Sequence, residues 1–186
     1  DLNVPMQDGK VTDTTRIDRT VPTLHELSSK GAKVIVISHF GRPKGQVVPE
    51  MSLASVAKAL SQSCGLPVAF ATDTIGESAE KTIAAMNDGD IVMLENLRFH
   101  ADEEANDKAF AAKLSNLGDA YVSDAFSCSH RAHASLTPCS NIAHTVLTPC
   151  SHIAHASLTP CSRTPRTLPA STRLADAGMD GGKSRG

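Results

Sequence analysis

Four arginines and a periodic set of cysteines and histidines are the side chains here whose types and spacing bear on chemistry. Arg42, Arg98 and Arg131 each follow a short apolar run, and Arg16 stands at the start of a helix-like segment. A guanidinium offers a planar fork of donors that grips carboxylate or phosphate through two hydrogen bonds. Brought together, such groups suit a small molecule carrying more than one negative charge. The second set lies in CSHRAHASLTP (128–138), CSNIAHTVLTP (139–149) and CSHIAHASLTP (150–160), with cysteine at 128, 139, 150 and 161 and histidine at 133, 144 and 155. Thiolate and imidazole are competent zinc ligands. A closed site, however, wants four of them held by a turn or helix, and the Thr-Pro pair in each unit prevents a continuous helix. The spacing fits no standard zinc pattern, so no metal site is assigned. Only the first unit carries an arginine. Ile142 and Ile153 replace it in the copies, which therefore cannot duplicate an anion contact. The repeat reads as tandem duplication of a short gene segment; a shifted reading frame would produce the same text.

The arginines need elements to position them. The runs 34–40 (VIVISHF), 67–71 (PVAFA), 90–96 (DIVMLEN) and 120–126 (AYVSDAF) are short, branched and apolar, bounded by Gly, Pro or Asp. Amphipathic stretches at 52–65, 77–86 and 106–118 alternate with them, and 52–65 starts with a Ser suited to capping and ends at a Gly. An earlier helix is expected over much of 14–29, kinked near Pro22. Strand and helix alternating in this way predict an α/β fold: a parallel sheet with helices on both faces. Ligands bind such sheets beyond the carboxyl ends of the strands. That is where GRPKG, LRFH and SCSHRAH fall, and with them Arg42, Arg98 and Arg131.

Composition places few further constraints. The chain has 186 residues, 18 basic against 20 acidic, so nothing favours a polyanion or a membrane surface as partner. Residues 1–136 hold 13 basic and 18 acidic side chains and all the Phe and Tyr. Half of the ten prolines fall after residue 137. A globular part over 1–136 is therefore expected, followed by a disordered repetitive tail over 137–186 of no recognised fold. No run reaches membrane-spanning length, no signal-like segment opens the sequence, and an odd cysteine count favours reduced thiols in the cytoplasm.

DLNVPM, TRIDRTVPTL, GAKVIVISHFGRPKG, LENLRFHADEE, LGDAYVSDAF and HRAHAS, in that order, resemble the phosphoglycerate kinase family over its amino-terminal, 3-phosphoglycerate-binding domain. The resemblance runs from residue 1 to about 135. It implies that the DLN segment (Asp1, Leu2, Asn3) meets the hydroxyl end of the substrate. It implies that His39 and Arg42 bind it while Phe40 and Gly41 shape the turn. Arg98 and Arg131 then complete the basic cluster. Arg16 looks like the residue that also reaches the transferring phosphoryl group, and so is the catalytic candidate. For His39 the alternative to substrate binding is a structural hydrogen bond at the strand end.

The reaction implied is reversible phosphoryl transfer between ATP and the carboxylate of 3-phosphoglycerate, giving 1,3-bisphosphoglycerate, in glycolysis. The attacking carboxylate is already ionised, so positioning and charge stabilisation carry the catalysis rather than a strong base. ATP or ADP with Mg2+ is implied as well, on a second lobe whose motifs are not found in this sequence. GGKSRG (181–186) lacks the glycine spacing of a phosphate-binding loop. The sequence starts at Asp1, within the first motif, and a fragment is expected. A monomer with small-molecule substrates follows from the resemblance, with no nucleic-acid or membrane partner. The alternative is a non-catalytic anion-binding half-domain; a metal-binding tail on an inactive domain is the third reading.

Overall fold

The computed structural model describes residues 2–123, 133–136 and 146–147. The expectations placed on Asp1 and Arg131 lie outside the described residues. So do those on the repeat cysteines, on His144 and His155, and on GGKSRG.

The chain begins with a small antiparallel hairpin, β1 (Met6–Gln7) and β2 (Lys10–Val11). Asp8 and Gly9 between them have φ of 50° and 71°. Positive φ at both turn positions gives the twist that two-residue hairpins favour, and Asp-Gly is the usual pair there. α1 (Thr15–Ser29) follows and runs on through Pro22, burying Ile17, Leu24 and Leu27.

β3 (Val34–Val36), β4 (Val68–Phe70) and β5 (Ile91–Met93) form the sheet, in the order β3-β5-β4 and parallel throughout. α2 (Ala54–Cys64) precedes β4, and α3 (Glu77–Ala84) precedes β5. Side chains alternate across a strand, and the packing shows it. Val34, Val36, Ile91 and Met93 join the core under α1 and α2, together with Leu2 and Val4. Ile35, Ile37, Val92 and Leu94 face the other way, onto Ala79 and Ile83 at α3. Ile37 also meets Phe110, Ala111 and Leu114 of α5 (Lys108–Ser115). Helices cover both faces, as the sequence predicts.

The helix caps differ from expectation. α2 does end at a left-handed glycine, Gly65, with φ of 65°. Its start is held from far along the chain: the Glu95 carboxylate accepts from the Leu53 amide at 2.9 Å and the Ser52 hydroxyl at 2.7 Å. A carboxylate there satisfies orphan N–H groups and complements the positive end of the helix dipole. The stretch 106–118 holds α5, whose N-cap is Asp107, and a further single turn, α4 (Ala101–Glu104), precedes it. The Asp107 carboxylate accepts from the Phe110 amide at 2.7 Å. The run 120–126 contributes β6 (Tyr121–Val122), which pairs parallel with β7 (Val146–Leu147) rather than with the three-stranded sheet among the described residues. Residues 124–126 lie outside the description.

Because β5 lies beside β3 and parallel to it, SHFGR and LENLR leave the sheet side by side, at its carboxyl edge.

Candidate anion-binding site

Asn96 joins these two strand ends. Its side chain is fully buried. Oδ1 accepts from the Phe40 and Arg98 amides, both at 3.1 Å. Nδ2 donates to the Phe40 carbonyl at 2.8 Å and to the Met51 carbonyl at 2.9 Å. One amide side chain thus fixes the backbone of both arms at the residues next to Gly41 and at Arg98. Ser38 adds a third arm, since its hydroxyl accepts from the Leu2 amide at 3.0 Å and its carbonyl from the Leu97 amide at 3.1 Å. Asn3 is thereby placed beside the same edge. The Leu2 side chain itself is turned into the core.

Arg98 is 7 % exposed. Its Nη1 donates to the Gly41 carbonyl at 2.7 Å, and its Nε lies 3.6 Å from Glu104 Oε1. Its own carbonyl accepts from the Gly45 amide at 3.2 Å. Backbone and side chain of one arginine therefore hold both ends of the GRPKG turn. Gly41 has φ of 63°, and a Cβ there would stand 3.0 Å from the Met51 sulfur. Gly45 has φ of 73°, and a Cβ would come within 2.7 Å of Ala101. Both positions combine left-handed backbone with close packing, which leaves glycine as the fitting residue. The turn carries Arg42 out to solvent, and Arg16 is also exposed, in the first turn of α1.

His39 is partly buried at the end of the same arm. Its imidazole is pushed down to about 4, mainly by burial, with the Arg98 guanidinium acting in the same direction. It is therefore neutral at pH 7 and adds no positive charge to the cluster. A histidine held below its ordinary 6.5 in the fold is protonated more readily when unfolded. Its contribution to stability is whole above pH 6.5 and drains away as pH falls through 4. The full swing is about 3 kcal/mol at most. Urea midpoints at pH 7, 5.5 and 4 should fall more steeply for the unaltered chain than for His39→Gln. Parallel profiles would assign the acid loss to other groups.

The segment 133–136 packs on Glu103 of α4. The Ala134 amide donates to the Glu103 carbonyl at 3.0 Å, and the Ser135 hydroxyl to Glu103 Oε1 at 2.7 Å. Together these elements set a buried, positioned guanidinium and a neutral imidazole beside a turn of left-handed glycines that carries an exposed arginine. Sequence reasoning singled out Arg98, Gly41, Arg42 and His39 as candidates but passed over Asn96, Glu95 and Glu103. These three lie inside quoted motifs; nothing in their types distinguishes a structural amide or carboxylate from a solvated one.

The family model described as phosphoglycerate kinase matches residues 1–150. Among curated proteins, a phosphoglycerate kinase of Rhodospirillum centenum is 62% identical over 135 residues, which is 73% of this chain and 34% of the relative. One of Rhodopseudomonas palustris is 63% identical over the same length and shares. Of solved structures, phosphoglycerate kinase from Coxiella burnetii superposes with a TM-score of 0.71 at 35% identity, covering 79% of this chain and 36% of that one. The enzyme from Pyrococcus horikoshii gives 0.70 at 34% identity, covering 78% and 37%. The chain spans about a third of the length of the curated relatives it matches.

Proposed function

The chain belongs to the phosphoglycerate kinase family, and we propose that its described residues form the part of such an enzyme that binds 3-phosphoglycerate. The whole enzyme's reaction would be reversible phosphoryl transfer between ATP and the substrate carboxylate. The observation that carries this reading is Arg98, buried and locked between the Gly41 carbonyl and Glu104 where two parallel strands end. A guanidinium held in a dry site needs no reorganisation to meet an anion, and its attraction is less screened than at the surface.

Asp1 and Asn3 would line the hydroxyl end of the substrate, with Leu2 anchoring the segment through its core-packed side chain. His39, Phe40, Gly41, Arg42, Arg98 and Arg131 would surround its anionic groups, and Arg16 would serve the transferring phosphoryl group. Residues 1–136 would be part of the amino-terminal domain, and 137–186 a tail that adds to it the short strand β7. ATP or ADP with Mg2+ belongs to this reading at the level of the family. Among the described residues no group of three His, Cys, Asp or Glu side chains is placed to hold a metal ion. None of their helices is long and apolar enough to cross a membrane. A cytoplasmic monomer acting on small molecules completes the proposal.

Calorimetric titration of the chain with 3-phosphoglycerate tests it. Saturable binding is expected, weakened several-fold by Arg42→Ala, since an exposed charge contributes modestly through water. Absence of saturable binding by the unaltered chain would remove the reading.

A further inference from the structure

Four buried polar atoms among the described residues lack a hydrogen bond: Arg98 Nε, Glu103 Oε2, Asn106 Oδ1 and His133 Nδ1. Such atoms are rare in folded proteins, and each calls for a physical reason. All four gather at α4. Arg98 Nε faces Glu104 Oε1 across 3.6 Å. His133 Nδ1 faces Glu103 Oε2 across 3.2 Å, close enough but not aligned for a bond. Asn106 follows the helix by two residues, with φ of 57°.

Glu103 is 4 % exposed and makes the bonds already described to Ala134 and Ser135. From the opposite side, the Tyr121 hydroxyl donates to the Ser135 carbonyl at 3.0 Å. The segment 133–136 is therefore clamped between α4 and β6, and the same turn of helix carries Glu104 to Arg98. Neighbouring residues on one helical turn move together. A displacement of 133–136 is thus felt at the arginine.

We propose that Glu103 is a positioning residue of the anion site, coupling segment 133–136 to the Arg98 guanidinium through α4. This inference rests on the 3-phosphoglycerate reading. A buried carboxylate serving stability alone gives no reason for the orphan atoms to collect beside the substrate arginine.

The test is calorimetric titration with 3-phosphoglycerate, paired with the thermal midpoint, for the full chain and its Glu103→Ala, Ser135→Ala, doubly altered and Glu103→Gln forms. Glu103→Ala and Ser135→Ala should each raise Kd roughly tenfold, because small misplacements at a binding constellation are costly. The double form should bind no more weakly than the poorer single one, since both changes break the same clamp. Glu103→Gln keeps an oxygen acceptor for Ser135 and should restore most of the affinity. If Glu103→Ala does not fold, Ser135→Ala, which deletes one hydroxyl, carries the test. Lower thermal midpoints with unchanged Kd in every form would make Glu103 a structural support only and overturn the proposal. An unaltered chain that binds, loses binding with Arg98→Ala, and ignores Glu103→Ala and Ser135→Ala overturns the coupling while leaving the site intact. No binding by the unaltered chain removes both.

Discussion

Asn96→Ala is expected to lower the stability of the chain by about 4 kcal/mol. The side chain has no access to solvent, and its removal frees four backbone groups at once: the Phe40 amide and carbonyl, the Met51 carbonyl and the Arg98 amide. A buried group left unpaired costs about 1–3 kcal/mol, so simple addition would exceed the figure given. Phe40 and Met51 are only partly buried, and water can reach some of what is left, which brings the sum down. Asn96→Asp separates the two halves of the side chain. It keeps an acceptor for both amides but turns an oxygen toward two carbonyls, and it places a charge in a dry site. Its cost should approach that of the alanine variant. Urea unfolding followed by circular dichroism reads both, with the midpoint moving and the slope unchanged. A loss below about 1 kcal/mol for Asn96→Ala would mean that the two strand ends are held by something other than this amide.

What sequence could convey about this fold depended on whether the signal was local. The runs 34–40, 67–71 and 90–96 each contain a strand, shorter than the run, because apolar branched residues between Gly, Pro and Asp report burial directly. They continue past the ladder: Ile37, Leu94 and Ala71 are core residues that follow the strands rather than belong to them. The Asp8-Gly9 hairpin was legible and was overlooked, since its flanking strands are only two residues each. The cap of α2 was not legible. Ser52 looks like an N-cap, yet the principal acceptor is Glu95, more than forty residues away, and only the sheet order brings it there. The same holds for the site. Arg98 and Arg42 follow their strands alike and look equivalent in the sequence. One is buried behind a carbonyl and a carboxylate, while the other is exposed. That difference arises from β5 lying inside the sheet next to β3, which no pattern of spacing announces.

That difference also fixes the largest effect expected on binding. Arg98→Ala should weaken 3-phosphoglycerate by about a hundredfold or more, whereas Arg42→Ala costs several-fold. A guanidinium carries five N–H donors in a rigid fork. One is committed to the Gly41 carbonyl at 2.7 Å, and Nε is turned toward Glu104, which leaves donors in fixed directions for an anion. Arg98→Lys sharpens the argument. Lysine keeps the charge but concentrates it on one nitrogen with three donors at the end of a flexible stem, and it cannot brace the turn and present a fork together. If charge alone draws the substrate, Arg98→Lys should bind nearly as well as the unaltered chain. If the braced fork matters, Arg98→Lys should recover less than half of the logarithmic loss seen with alanine. Titrations at low and at about 0.5 M salt separate these cases further, because an exposed charge is screened and a buried one much less. Loss of affinity with salt for Arg42, and its persistence for Arg98, is the pattern that follows from one buried and one exposed arginine. Equal salt sensitivity at both positions would put the bound anion in water, beside the exposed arginine, and not against the buried guanidinium.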